Sequence, residues 1–301
     1  MIATEKERAK DMSTRNVIVL GSINVDYVAP VERLPGPGET IKTDRYDALP
    51  GGKGANQALA AARNGAATAM VGAVGSDGLD AVALSELQRA GTNLDEVKVH
   101  HGASGLAMIA VDAAGENQII VVSGANAAVQ ATDLPDLNGH TILVTQNEIT
   151  WTETAQAHAR ARGQGAMVIH NAAPAHRLSA SELGNIDVLV VNEHELALAA
   201  ANDSLSEGGK AEHLLAQGVG AVILTLGAKG ARLFQALTPT VQVDAVQTKV
   251  VDTTGAGDAF VGACVAALAA GLALPDAVAQ ANAYAARVCG VLGAQTPPAE
   301  P

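Results

Sequence analysis

The sequence predicts an α/β protein: a doubly wound, mostly parallel sheet with helices on both faces, carrying a small projecting β-sheet as a lid. Three observations lead there. Short, unalternating apolar runs that end in turn residues recur along the chain, as strands buried on both faces of a parallel sheet require. Ala-rich helical stretches separate these runs. Two further segments break the alternation and read as antiparallel ribbon.

The first run, Asn16-Val17-Ile18-Val19-Leu20, is closed by Gly21. Comparable runs lie at 69–74, 141–145, 166–169, 186–191 and 221–226, with helical stretches at 56–64, 78–90, 152–162, 193–201 and 209–217. The apolar stretch 261–274 is shorter than the roughly 20 residues of a membrane span and reads as a buried helix. The first break, 27–49, holds three Pro and no helical period; the second, 97–123, reads as strands at 97–101, 105–111 and 118–122 with a turn at 112–117. Together they form the predicted lid on one domain spanning 16–301. Residues 1–15 form a charged leader, expected to be flexible and without the apolar core of a signal peptide, and 297–301 read as a disordered tail.

With 301 residues, 48% hydrophobic, the chain can bury a large core, which excludes disorder of the whole. Its 19 Lys and Arg against 31 Asp and Glu give a net charge of -12, which repels nucleic acid and anionic membranes. The two cysteines, Cys264 and Cys289, lie among small apolar residues, the usage of buried thiols in a reducing, cytoplasmic compartment. Aromatics make up only 2% and Gly counts 31, so the core is expected to be packed from small side chains at close helix–sheet distances.

Several segments place polar groups where chemistry is possible. In Gly21-Ser22-Ile23-Asn24-Val25-Asp26, Asn24 and Asp26 leave a carboxyl strand end, where open α/β sheets bind ligands. They could bind several hydroxyls, or the hexapeptide is a capped turn. In Pro50-Gly51-Gly52-Lys53-Gly54-Ala55-Asn56 the glycines permit close backbone approach around Lys53, which has no obvious acidic neighbour in sequence. The order is not that of a P-loop, and a plain Gly-rich connection is the alternative.

The sharpest signal is Thr253-Thr254-Gly255-Ala256-Gly257-Asp258-Ala259-Phe260, which opens a long Ala-rich helix. The free N–H groups at such an opening make an anion site, and Asp258 in the first turn is either a functional carboxylate or a cap complementing the helix dipole. Asn192-Glu193-His194-Glu195 also follows a strand, and reads as a phosphate and hydrated-metal site or as a helix N-cap with an acidic first turn. Thr225-Leu226-Gly227-Ala228-Lys229-Gly230 joins two strands and could line a nucleotide groove, and Glu148 is a further carboxylate at the same sheet edge. His100 and His101 point to opposite faces of a strand and read as surface residues of the lid. No zinc spacing occurs, and no Gly-x-Gly-x-x-Gly follows the first strand, against a dinucleotide dehydrogenase.

In this order the motifs resemble the ribokinase (PfkB-type) family of sugar kinases over residues 16–295. The resemblance is carried by the segments above together with Pro35-Gly36-Pro37-Gly38-Glu39-Thr40, Gly51-Gly52-Lys53-Gly54-Ala55-Asn56-Gln57-Ala58, Gly115-Glu116-Asn117, Gly124-Ala125-Asn126, Asn171-Ala172-Ala173-Pro174-Ala175 and Gly293-Ala294-Gln295. It departs at Ala173, where Pro is common, and beyond Gln295, where relatives usually carry another helix.

The resemblance implies a ribokinase-like fold and ATP-dependent transfer of the γ-phosphate to the 5-hydroxyl of D-ribose. A related kinase for deoxyribose, fructose or a nucleoside is the alternative, and a non-catalytic sugar- or nucleotide-binding regulator is the alternative from another class. By the same resemblance Asn24, Asp26, Gly52, Lys53, Asn56 and Glu148 hold the sugar, Asp258 is the catalytic base, and Gly255, Ala256 and Gly257 form the anion hole. Asn192, Glu195, Thr225, Gly227, Gly230, Gly257 and Asn282 serve ATP, with Glu195 reaching Mg²⁺ through water. Asp252, Thr254, Val288, Val291 and Gly293 are the expected ligands of an activating K⁺. The projecting lid, exposed in a monomer, implies a homodimer packed lid to lid.

Overall fold

The strand β1 (Asn16–Leu20) shows why its apolar run does not alternate. Val17 and Val19 enter the core on one face of the sheet, Ile18 and Leu20 the core on the other. The computed structural model describes residues 15–297. The expected leader, Arg15 excepted, and the expected tail, Pro297 excepted, lie outside the described residues.

The parallel part of the main sheet runs β11 (Ala221–Thr225), β10 (Val188–Asn192), β9 (Met167–Asn171), β8 (Thr141–Thr145), β1, β4 (Thr68–Gly75) and β5 (Asn93–His100). Two antiparallel strands, β12 (Ala231–Gln235) and β13 (Val241–Val243), close one edge. The connection 225–230 implied the strand that follows it, β12; the three-residue edge strand β13, interrupted by the exposed Gln242, was missed.

One face is covered by α1 (Lys53–Arg63), α8 (Ala256–Ala269) and α9 (Leu274–Val288), and the other by α4 (Trp151–Gly163), α6 (Glu193–Ala200) and α7 (Glu207–Ala216). The predicted helix at 78–90 is instead two short ones, α2 (Asp80–Ala83) and α3 (Ser85–Arg89), hinged at Leu84; α5 (Ala180–Leu183) is equally short. The apolar stretch 261–274 is not one helix either. It ends α8 at Ala269, turns through Gly271 at φ 88°, and starts α9, which carries Pro275 in its first turn. Among the described residues no helix is long and apolar enough to cross a membrane.

The lid contains β2 (Asn24–Pro30), β3 (Asp47–Gly51), β6 (Gly105–Val111) and β7 (Asn117–Val122), in the order β3-β2-β6-β7. Two expectations need correction. Residues 97–100 are not part of the lid: they complete β5, which pairs parallel with β4 and packs Leu94 and Val97 on the main core. His100 therefore ends a main-sheet strand, half-buried, and only His101 is exposed. Nor is the lid wholly antiparallel, since β2 pairs with β6 in parallel. Asn24 lies opposite both Gly51 and Gly105 in register, so three lid strands meet the main domain in one layer. That layer holds the site.

Candidate active site

Helix α8 packs on α1 through small residues. A Cβ on Gly262 would lie 2.5 Å from the Ala60 methyl and from the Gln57 carbonyl, so Gly is what lets the two helices touch. This contact brings the polar start of α1 to the mouth of α8. Asp258, buried in the first turn of α8, accepts 2.9 Å hydrogen bonds from the side-chain amides of Asn56, on Oδ2, and Gln57, on Oδ1. Gln57 also donates to Asn171 Oδ1 at 3.1 Å and accepts from the Gln146 amide at 2.7 Å.

The glycine loop lies directly on the 21–26 segment. At Gly52, with φ 90°, a Cβ would be 2.8 Å from the Asn24 nitrogen, and at Gly54 it would be 2.6 Å from that of Ser22. Glu148 ties the two segments together. Its Oε2 accepts from Ser22 Oγ at 2.6 Å and from the Lys53 backbone N–H at 3.0 Å, satisfying an orphan donor of α1, whose N-cap Gly52 has no side chain to do so. Asn126 fixes the neighbouring strand end, accepting from the Ile23 N–H at 2.9 Å and donating to Asn24 Oδ1 at 2.7 Å.

Lys53, without an acidic neighbour in sequence, has four in space. The Asp258 carboxylate raises its pKa most, against the opposing effect of burial, with Glu148, Glu195 and Asp26 adding to the rise. Asp26 is pushed up to about 6, by burial first and then by the negative charges of Glu148 and Asp258. One ammonium thus serves a cleft of carboxylates from four elements.

Gly257 and Phe260, on either side of Asp258 in the chain, help line a cavity of roughly 320 Å³, together with Thr225, Gly227, Gly230 and Asn282 among others. Asn282 donates to the Val243 carbonyl at 3.1 Å, holding the loop that forms one wall. At Gly257 a Cβ would meet nothing within 4 Å, so its bare backbone faces open space. At Gly255, with φ 74°, a Cβ would be 2.6 Å from that of Ala294. Asn192 and Glu195 form a reciprocal capping box: the Glu195 N–H donates to Asn192 Oδ1, and the Asn192 N–H to Glu195 Oε2, each at 2.8 Å. Burial raises the Glu195 pKa, and Lys53 and Asp258 lie within its electrostatic reach.

Asp252 accepts from the Thr254 N–H on Oδ1 and from the Gly293 N–H on Oδ2, both at 2.9 Å. Burial alone would raise its pKa, but a hydrogen bond from the Thr254 hydroxyl, together with these two N–H groups, outweighs burial and holds it below the ordinary value. Val288 ends α9, and its carbonyl accepts from the Val291 N–H at 3.2 Å, so these two expected ligands share one turn, which the Gly293–Asp252 hydrogen bond joins to the loop of Asp252 and Thr254. Among the described residues no group of three or more His, Cys, Asp or Glu is arranged to hold a metal ion.

The pfkB family carbohydrate kinase profile matches residues 14–301. The chain belongs to this family. It is 39% identical over 280 residues to a ribokinase of Schizosaccharomyces pombe, covering 87% of this chain and 88% of the relative. Among solved structures it resembles a ribokinase of Thermotoga maritima, with TM-score 0.85 and 33% identity over 93% of this chain and 95% of that one. It resembles equally an Arabidopsis thaliana ribokinase complexed with ribose and ATP, with TM-score 0.84 and 30% identity over 94% and 95% of the two chains. As a pfkB kinase the chain is an ATP:sugar phosphotransferase.

For a kinase of this family the structure adds residues to those read from the motifs. Gln57, Asn126 and Asn171, which lie in the motif segments but were given no role there, and Gln146, which lies outside them, form the frame around Asp258 and Asn24. The available signal for Gln57 was its polarity: Asn56 and Gln57 are amides in a helix that is otherwise Ala and Leu from Ala55 to Ala62, and both are buried.

Proposed function

We propose that this chain is an ATP-dependent ribokinase, moving the γ-phosphate of ATP to the 5-hydroxyl of D-ribose. The observation that carries the reading is the position of Asp258. It stands at the mouth of α8, bonded to Asn56 and with its charge acting on Lys53 of the polar cleft, while its neighbour Gly257 lines the cavity of Thr225, Gly227 and Asn282.

In this reading Asn24, Asp26, Gly52, Lys53, Asn56 and Glu148 bind the sugar, with Asp26 and Asn24 taking hydroxyls at the lid base. The 5-hydroxyl gives its proton to Asp258 as its oxygen bonds to the γ-phosphorus, the bond to the bridging oxygen breaks, and ADP leaves. Such transfers are loose, so the protein's task is alignment and stabilisation of negative charge. Backbone N–H groups at Gly255, Ala256 and Gly257 meet that charge at the helix end. The nucleotide lies in the cavity of Thr225, Gly227, Gly230 and Asn282.

Mg²⁺, arriving with ATP, supplies positive charge against the phosphates. Asn192 and Glu195 suit it: a buried carboxylate whose ionised form is disfavoured gains from a nearby cation, and Mg²⁺ keeps most of its waters. K⁺ suits the turn of Asp252, Thr254, Val288, Val291 and Gly293, where a low-pKa carboxylate sits among backbone carbonyls. The Asp252 carboxylate accepts from the Thr254 and Gly293 N–H groups and from the Thr254 hydroxyl, which leaves one of its four lone pairs for a cation.

We further infer one kinase domain over 16–301 whose lid closes on the sugar and excludes water, a homodimer formed through that lid, and residence in the cytoplasm, in keeping with the free thiols Cys264 and Cys289. The test is ADP release over a panel of sugars and nucleosides. D-ribose should give the highest kcat/KM, and preference for a nucleoside or for fructose would overturn the assignment.

A further inference from the structure

Gln295 is far from every motif that names the reacting groups, yet its side chain is 4% exposed and lies at the centre of the site. Its Nε2 donates to Asn56 Oδ1 at 2.8 Å, and Asn56 Nδ2 in turn donates to Asp258 Oδ2 at 2.9 Å. The turn bearing Gln295 is fixed on both sides. Gly293 donates to Asp252, and Ala294 packs against Gly255 so closely that no Cβ fits there.

We propose that Gln295 is a positioning residue for catalysis, setting through Asn56 the orientation of the Asp258 carboxylate. This rests on the kinase reading above. Asn56 has a donor end and an acceptor end of nearly equal shape. With its oxygen committed to Gln295, its N–H must face Asp258. Without that partner, once Asp258 has taken the hydroxyl proton, Asn56 can turn its carbonyl to accept it, holding Asp258 protonated and out of line. Gln57 constrains only the other oxygen, Oδ1.

A second observation fits. Gln295 Oε1 is buried and without a hydrogen-bond partner among the described residues. An unpaired buried carbonyl is destabilising, and an apolar side chain of the same length would avoid it. The position keeps an amide although only its N–H is used.

The test compares Gln295→Met with the unmodified enzyme. Met keeps the length and removes the donor. The expected result is a kcat reduced by about 10-fold to on the order of 10²-fold, KM for ATP within about twofold, and no loss of thermal stability. In an Asp258→Asn background the same change should have no further effect on kcat, because the two act as one unit. Gln295→Leu, which likewise cannot donate, should behave alike and serves where Met impairs folding. Unchanged kcat, a loss confined to KM, or a kcat loss that multiplies with that of Asp258→Asn overturns the proposal while leaving the kinase reading intact. An unmodified enzyme that phosphorylates none of the sugars overturns both.

Discussion

Gly51 faces Asp26 across the base of the lid so closely that a Cβ on the glycine would overlap the Asp26 carboxylate. Both belong to the lid strands nearest the main domain, and Gly51 itself pairs with Asn24. The space Asp26 occupies is thus available because its neighbour has no side chain. Gly51 does not need a left-handed backbone, so Gly51→Ala should fold normally and act only by pushing Asp26 aside. The expected outcome is a KM for sugar raised by roughly 10- to 100-fold, the scale of a misplaced charged hydrogen-bonding group. ATP affinity should be kept. Equal sugar affinity in the variant would remove Asp26 from the sugar cleft.

The raised pKa of Asp26 sets two pH dependences of opposite use. Burial, with Glu148 and Asp258, moves the carboxyl from 3.8 to about 6, so the folded protein holds this proton more tightly than the unfolded chain does. The contribution of Asp26 to stability therefore falls as pH rises from about 4 through about 6, by at most about 3 kcal/mol. Sugar hydroxyls need the ionised form, so kcat/KM for sugar should fall as pH drops through about 6. Asp26→Asn should flatten the stability slope in denaturant titrations at several pH values. A slope unchanged by that substitution would assign the pH dependence to another group.

The architecture was readable because it is written locally. The run at β1 and the turn at Gly21 are contiguous, and Asp258 stands one and three residues from the two glycines that shape its helix mouth, Gly257 and Gly255. What holds Asp258 was not readable. Gln57 lies 201 residues away in sequence, and Gln295 reaches Asn56 across 239. Likewise the charge environment of Lys53 comes from four separate elements, and no local pattern announces it. The strand at 97–100 was misassigned for a related reason: period-2 patterning identifies a strand, but not the sheet it joins.

Asp258→Asn keeps the shape and hydrogen-bonding size of the carboxylate while removing its capacity to take a proton. Turnover should fall by about 10²- to 10⁴-fold, the range of a lost general base. Nucleotide binding, followed by calorimetry with ADP, should remain close to that of the unmodified protein, because the nucleotide cavity lies beside Asp258 and not on its amide partners. Near-normal turnover would reduce Asp258 to a helix cap.

Strand β7 carries Ile119, Ile120, Val121 and Val122 in succession, all exposed, on an edge of the lid without a neighbouring strand. An apolar edge without charge or proline invites a partner, and a second copy offers the same surface in return. Sedimentation of the unmodified protein should give a dimer mass, and Ile120→Lys should give the monomer with little change in melting temperature. A monomer mass at every concentration for the unmodified protein would exclude the lid as a dimer interface.

The last prediction concerns the turn that Asp252 organises. Its two oxygens already accept the N–H groups of Thr254 and Gly293, so the carboxylate does more than await a cation. It joins the loop leading into Gly255 to the turn bearing Gly293, Ala294 and Gln295, and Ala294 packs on Gly255. A weakly hydrated monovalent ion on Asp252 and the nearby carbonyls would tighten this junction and place positive charge near the helix mouth that receives phosphate. Activity should therefore rise when K⁺ replaces Na⁺ at constant ionic strength. Asp252→Ala should abolish that difference and also lower the rate in both salts, because two backbone N–H groups lose their acceptor. Serine at 252, which can still accept a hydrogen bond but carries no charge, separates the two effects: Asp252→Ser should recover part of the Na⁺ rate without restoring the K⁺ response. Equal rates in both salts for the unmodified enzyme would leave Asp252 as a purely structural junction.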